Sequence, residues 1–214
     1  MEIKSILDND LYKFSMGYAY MKMYPDAEGQ FVFSDRNHTS YDHFTVQLIQ
    51  EAINQLGQLQ LTAEECKWAT QNIPYIPQFY WEWLKGFRFD PSKVSIARLV
   101  DGSLSLTVTD KLYKATLYEV PILAIISAIR NSTYVYDKGT MYNKLDEKIN
   151  LSNECQLYFS EFGTRRRFNY EVQHDVVKEL SQRAHFCTGT SNVHLAMKFG
   201  MKPIGTVAHE WIMF

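Results

Sequence analysis

Cys155-Gln156-Leu157-Tyr158-Phe159, followed closely by Phe162-Gly163-Thr164-Arg165-Arg166-Arg167, is the stretch on which the fold turns. The apolar run reads as a strand over 155–159. An aromatic, a glycine and three guanidiniums follow it. A helical pattern over about 169–183 comes next, with Val172, Val176, Val177 and Leu180 on one face. The order then repeats: strand 185–188, helix 192–199 capped by Ser191 or Asn192 and closed by Gly200, strand 202–206. Strands alternating with helices predict a parallel sheet, either open or closed into a barrel. In such folds ligand-binding residues gather at the carboxyl ends of the strands. Three stretches fall there: 162–167, Gly189-Thr190-Ser191-Asn192, and Gly205-Thr206-Val207-Ala208-His209-Glu210-Trp211.

Upstream the pattern differs. Asp8 or Asp10 is placed to cap a helix running to about Met23 and ended by Pro25, with too many tyrosines and methionines for a single apolar stripe. A short strand over Gln30 to Ser34 precedes a polar loop, 35–40. From Phe44, apolar residues recur at Leu48, Ile49, Ala52, Ile53, Leu56 and Leu59, a helical period. Thr62 with Glu65 forms a capping box for the next helix. Pro77 starts another, with Phe79, Tyr80, Trp83 and Leu84 as its core face and Gly86 at its end. Val94, Ile96 and Val100, then Leu104, Leu106 and Val108, alternate with polar positions around Asp101-Gly102, which predicts a hairpin closed by a type I′ turn. Leu112 to Tyr118 reads as a third strand, and Pro121 opens an apolar helix, Ile122 to Ile129. The change from antiparallel hairpin to alternating strands and helices sets a domain boundary near 120, giving units 1–120 and 121–214.

With 46% hydrophobic and 21% charged residues the chain has the composition of a globular domain. A formal charge of −2 argues against a nucleic-acid-binding face, although it leaves room for a local basic pocket. The longest apolar run, Val120 to Ile126, is too short to cross a bilayer, so no membrane partner is expected. Three cysteines without C-x-x-C spacing, and an N-terminus unlike a targeting segment, read as reduced thiols in a cytoplasmic protein. His185 and His194 lack zinc-ligand spacing, so no metal ligands are expected. No glycine-rich nucleotide loop of the familiar spacings occurs.

Arginine forks match phosphate geometry, and a helix start adds free amides; Arg165, Arg166 and Arg167 therefore read as a phosphate site, or as a solvated charge run. Phe162 is placed to stack on a ring or to pack. Thr190 and Ser191 read as an anion site or a helix cap. His209 reads as a base, a metal ligand, a phosphorylated nucleophile or a structural histidine.

Taken in order, these residues resemble the nicotinate phosphoribosyltransferase family. The matching stretches are Asp10-Leu11-Tyr12-Lys13 with Tyr18 and Tyr24-Pro25, Phe87-Arg88-Phe89, Tyr118-Glu119-Val120-Pro121 with the apolar run to Ser127, Phe162 to Phe168, Gly189-Thr190-Ser191-Asn192, and Gly205 to Trp211. The chain departs from the family at Ala128, where a glutamate is usual. The resemblance implies an α/β sandwich domain with antiparallel strands, followed by the first βα units of an irregular α/β barrel. It implies condensation of nicotinate with phosphoribosyl pyrophosphate to nicotinate mononucleotide, a step of NAD biosynthesis, driven by ATP with Mg2+ in a homodimer. By the same resemblance His209, with Glu210 beside it, is the histidine phosphorylated by ATP. Phe162 covers one face of the pyridine ring and Tyr12 of a second subunit the other. Arg165 and Arg166 bind phosphate, Ser191 and Thr206 lie near the ring carboxylate, and Thr190 is a further substrate-binding residue. A serine at 191, where nicotinamide-using relatives carry aspartate, favours the carboxylate substrate. Family members are considerably longer than this chain, so the barrel is expected to be truncated, with the apolar tail Ile212-Met213-Phe214 cut inside a domain and no turnover by the chain alone.

Overall fold

A computed structural model describes residues 1–35 and 38–213, apart from the side chain of Glu210; Arg36 and Asn37 of the expected polar loop lie outside the described residues. Helix α1 (Leu11–Met23) buries Leu11, Lys13, Phe14, Met16, Gly17 and Tyr20 around its circumference, as its scattered apolar residues require. Strand β1 (Glu28–Val32) follows, then α2 (His43–Leu56), α3 (Ala63–Asn72) and α4 (Gln78–Gly86). The capping box of α3 forms as expected: the Glu65 amide donates to Thr62 Oγ1 at 3.1 Å and the Thr62 amide to Glu65 Oε2 at 2.9 Å. Helix α4 turns differently from its sequence reading, burying Trp81 with Tyr80 and Leu84 while Phe79 faces out.

Strands β2 (Val94–Arg98) and β3 (Leu104–Lys111) form the expected hairpin, and β1 pairs with the other edge of β3, giving the antiparallel order β1-β3-β2. Leu104, Leu106 and Val108 alternate into the core. The turn is not type I′. Only Gly102 takes a positive φ, 86°; the Leu99 amide donates to Ser103 O and the Gly102 amide to Leu99 O. This is a three-residue loop ending in a left-handed glycine, and it leaves Val100 exposed beyond the strand. The third strand expected over 112–118 is also absent. Leu112 donates one last ladder hydrogen bond to Ala27 O, after which the chain coils into α5 (Leu112–Ala115), whose buried Leu112 and Ala115 lie one turn apart.

Helix α6 (Glu119–Asn131) enters the main core through Ile122, Ala124, Ile125 and Ile126. The stretch Leu112–Asn131 has the length and hydropathy of a membrane span, but 67% of its apolar window is buried within the fold, as in a core helix. A long helix not evident from periodicity, α7 (Lys138–Glu154), comes next. Its end consumes the expected strand 155–159: Gln156 is left-handed (φ 53°) and Leu157 donates back to Ser152 O, a helix-terminating motif. Strand β4 is displaced to Phe159–Glu161.

Helix α8 (Tyr170–Arg183) leads to β5 (Cys187–Thr190), which pairs in parallel with β4, and Asn192 caps α9 (Val193–Phe199), closed by Gly200 in the left-handed region. The expected strand 202–206 reduces to one parallel bridge between Thr190 and Pro203, bonded from the Thr190 amide to Lys202 O and from the Ile204 amide to Thr190 O. The approach is close: a Cβ on Gly189 (φ 153°) would meet Lys202 O at 2.1 Å. Helix α10 (His209–Met213) follows.

Candidate active site

The carboxyl ends of β4 and β5 meet the N-terminal segment. The Ser191 amide donates to Glu161 O, the Leu11 amide to Ser191 O, the Val193 amide to Asn9 O and the His194 amide to Leu7 O. Residues 7–11 are thereby sewn across the strand ends, and Asp8, Asn9 and Asp10 are all buried. Sequence reading took these acids for helix caps. Asp10 does stand at the N-cap of α1, but its carboxylate makes no cap bond and instead accepts the Ser191 hydroxyl at 2.7 Å.

The three consecutive arginines part company here. Arg167 is buried: its guanidinium holds Asp8 through two bonds of 2.8 and 3.1 Å, Glu2 at 2.7 Å and Gln173 at 3.1 Å. Burial pushes the Asp8 carboxyl up, but the charge and hydrogen bonds of Arg167 and the amide of Asn192 outweigh it and hold it below the usual range. Arg167 is therefore spent on structure. Arg165 is half-exposed, with Glu119 Oε1 at 3.2 Å, Asp10 Oδ2 at 3.9 Å and the Tyr12 ring 5.9 Å from its guanidinium carbon. Arg166 is exposed. Arg165 and Arg166 line a cleft of about 560 Å³ with Glu119, Leu123 and an apolar wall that includes Phe31, Phe33, Val108 and Ile122.

Glu161, at the end of β4, is a half-buried hub that sequence reading missed. It accepts from Thr190 Oγ1 at 2.5 Å, from the Gly163 amide at 2.5 Å and from Gln173 Nε2 at 3.3 Å. Burial raises its carboxyl above the usual range despite these donors. Burial likewise raises Asp10, against the pull of Ser191, Thr164 and Arg165. The signal for Glu161 was its place at a strand end before Phe162; nothing local announced its burial.

Among the expected site residues, the structure gathers Tyr12, Arg165, Thr190 and Ser191 around Asp10 and Glu161. The hydroxyls of Thr190 and Ser191 are fully buried and already engaged with those two carboxylates. Phe162, the next residue in the chain after Glu161, is 39% exposed. The Tyr12 ring centroid lies 5.9 Å from the guanidinium carbon of Arg165 in the same chain, in a cluster with Met16, Tyr20 and Leu112. Thr206 and His209 are exposed. Their segment is fastened to α1 by Gly205 against Leu11 and Tyr12, and by Ala208 and Trp211 in the Tyr12 cluster, with the Trp211 ring 5.4 Å from that of Tyr20. The side chain of Glu210 lies outside the described residues.

Known proteins resemble this chain over nearly its whole length. Residues 7–127 match the family model for the nicotinate phosphoribosyltransferase N-terminal domain, and residues 157–214 match that for the nicotinate phosphoribosyltransferase family. The nicotinate phosphoribosyltransferase of Chromohalobacter salexigens is 37% identical over 99% of this chain and 55% of its own length. That of Methanosarcina mazei is 36% identical over 99% and 57%. The crystal structure of the Porphyromonas gingivalis nicotinate phosphoribosyltransferase superposes with a TM-score of 0.96 at 42% identity, covering 99% of this chain and 55% of that one. The Vibrio cholerae structure does so with 0.87 at 30% identity, covering 100% and 53%. The chain thus spans about half the length of the relatives it matches. Its antiparallel sheet and parallel strand pair are the α/β architecture of those structures, and the chain belongs to the nicotinate phosphoribosyltransferase family.

Proposed function

We propose that the protein, as part of a full-length enzyme, joins nicotinate to phosphoribosyl pyrophosphate, giving nicotinate mononucleotide for NAD biosynthesis in the cytoplasm. The observation that carries this reading is the convergence of Phe162, Arg165 and Ser191 at one end of the parallel strands, in a chain of this family. Phe162 stacks on the pyridine ring. Arg165 and Arg166, on the cleft, take phosphate oxygens bidentately. Ser191 passes its hydrogen bond from Asp10 to the ring carboxylate, with Thr190 and Thr206 nearby. Holding both substrates in line and stabilising the departing pyrophosphate supply most of the rate of the transfer step itself.

ATP drives the reaction by transiently phosphorylating His209, whose exposed position at the start of α10 leaves it open to a nucleotide. Among the described residues no three His, Cys, Asp or Glu side chains converge on a metal. Magnesium, which binds mainly water and substrate phosphates, is therefore proposed to enter with the pyrophosphate, and no described residue is assigned to it. The assembly is a homodimer in this reading.

The coverage of about half of each relative supports a second proposal, that the 214-residue chain alone does not turn over and acts with a complementary half. The test combines both. The chain is assayed for nicotinate mononucleotide alone and after mixing with the remaining segment of the Porphyromonas gingivalis relative. Product is expected only from the mixture, together with an ATP-derived phosphate on the protein that His209→Asn removes. A folded mixture giving neither product nor label would rule the reading out.

A further inference from the structure

Glu119, in the first turn of α6, places one carboxylate oxygen on each of two cations. Its Oε2 pairs with Lys13 Nζ, and its Oε1 receives Arg165 Nη1 at 3.2 Å. The two cations differ in access. The Lys13 side chain is 0% exposed and that of Arg165 38%, with Glu119 between them at 23%. Lys13 is held in place: its ammonium lies 5.1 Å from the Tyr12 ring centroid and 5.3 Å from that of Phe31. Glu119, Arg165 and Arg166 face the same cleft, whose remaining lining is apolar apart from Ser34.

We propose that Glu119 is an internal competitor for the anion at Arg165: it occupies the arginine at rest and is displaced from Arg165, though not from Lys13, when a phosphate or pyrophosphate group enters the cleft. This deepens the phosphate role proposed for Arg165 and rests on it. Glu119 holds Arg165 through Nη1 alone, so a phosphate group gripped bidentately on the cleft side competes with Glu119 for that nitrogen. Glu119 gives up only its outer contact. It keeps Lys13, so the exchange leaves no buried charge bare. Asp10, with Oδ2 3.9 Å from Arg165 Nε, steadies the other side of the guanidinium. A monoanionic carboxylate merely replaces like with like, whereas a multiply charged phosphate group gains more at the same distance. Glu119 thereby selects for phosphate-bearing ligands.

The experiment titrates the protein with pyrophosphate at fixed ionic strength by calorimetry, with acetate as the monoanion control. Glu119→Gln keeps an oxygen for Lys13 and removes the competing charge. Its pyrophosphate Kd is expected to tighten roughly two- to fivefold, the affinity equivalent of one partly exposed ion pair. Glu119→Gln combined with Arg165→Met is expected to lose the gain. A residue that only supports the fold would weaken binding when altered, so tightening separates the two roles. Pyrophosphate binding that is unchanged, weaker or absent in folded Glu119→Gln overturns the proposal. Should that variant not fold, the unaltered protein carries the test: the Arg165 Nε–H NMR resonance should move with pyrophosphate and not with equal acetate, and a resonance that stays put overturns it. Because pyrophosphate alone is the probe, this outcome is independent of whether the reconstituted enzyme makes nicotinate mononucleotide.

Discussion

The region up to α6 and the region from α7 onward are held together in different ways. The first is built on one continuous core, in which Phe14, Ile49, Tyr80, Trp81, Leu106 and Ile125 meet with scarcely any solvent contact. The second has two small clusters, Leu145, Ile149, Leu180 and Ala184 in one and Tyr170, Val177 and Leu195 in the other. A groove of about 590 Å³ between α7 and α8, lined by Met141, Leu145, Phe159 and Val176, stays open to solvent. Apolar burial alone therefore gives the second region little stability. What it has instead is a seam: the backbone bonds between 7–11 and 191–194, and the buried Arg167–Asp8–Glu2 network. The candidate site lies along that seam, where a rigid body meets a weaker one through charged groups.

Cutting the seam should have the largest effect. Arg167→Met leaves the Asp8 carboxylate buried without its cation, a loss of about 3–5 kcal/mol. Urea unfolding would measure the loss, and hydrogen exchange would locate it. Amides of α8 and α9 are expected to lose protection well before those of α2 and α4. Uniform loss across both regions would mean that the seam is not where the second region is held.

A smaller effect distinguishes Asp8 from Glu161 by pH. Asp8 has its carboxyl lowered below the ordinary 3.8, so its contribution persists through mild acid and is lost only as pH falls below that value through the folded one. Glu161 is raised above the ordinary 4.5, mainly by burial. Between 4.5 and its folded value the native protein holds a proton that the unfolded chain has released, so stability increases as pH falls through that window. Asp10 and Glu2 are raised in the same sense. Glu161→Gln should therefore flatten, without abolishing, the rise in stability on mild acidification. Superimposable stability–pH curves for the two proteins would remove Glu161 from the seam.

How far these features could be read from sequence follows from the range of the interactions. Caps and periodic faces are local: the Thr62–Glu65 box and the Gly200 terminus came out as read, and the α2 face did so at Ile49, Ile53 and Leu56, while Phe44 is exposed and Leu59 lies beyond the helix. The turn at Asp101-Gly102 was half legible: the hairpin follows from the pair, but the loop length depends on where Leu99 and Ser103 meet. Leu112 to Tyr118 looks like a strand because its apolar residues suit either period. Burial of Leu112 and Ala115 on one helical turn decides the matter, and that requires the neighbours. The arginines mark the limit. Arg165, Arg166 and Arg167 are chemically identical and consecutive, and their fates are set by Glu119 for one and by Glu2 and Asp8, more than 150 residues away, for another. Buried hydroxyls at Thr190 and Ser191 were hidden for the same reason, since their partners are Glu161 and Asp10.

Phe162 offers the smallest effect on stability and the sharpest contrast with the core. At 39% exposure its ring has only part of its surface to lose, so Phe162→Ala should cost less than about 1 kcal/mol of stability, against about 3–5 kcal/mol for truncating a fully buried aromatic. The same change should weaken nicotinate binding to the reconstituted enzyme roughly three- to tenfold, the size of one aromatic stacking contact. Phe162→Tyr keeps the π face and should retain most of the affinity. Thermal melting and nicotinate titration of both variants separate the possibilities. A large drop in melting temperature with unchanged affinity would make Phe162 a packing residue and move the ring site elsewhere along the seam. A small drop with lost affinity places the exposed aromatic where the weakly packed region presents its chemistry, on a loop anchored one residue behind it by the hydrogen bonds of Glu161.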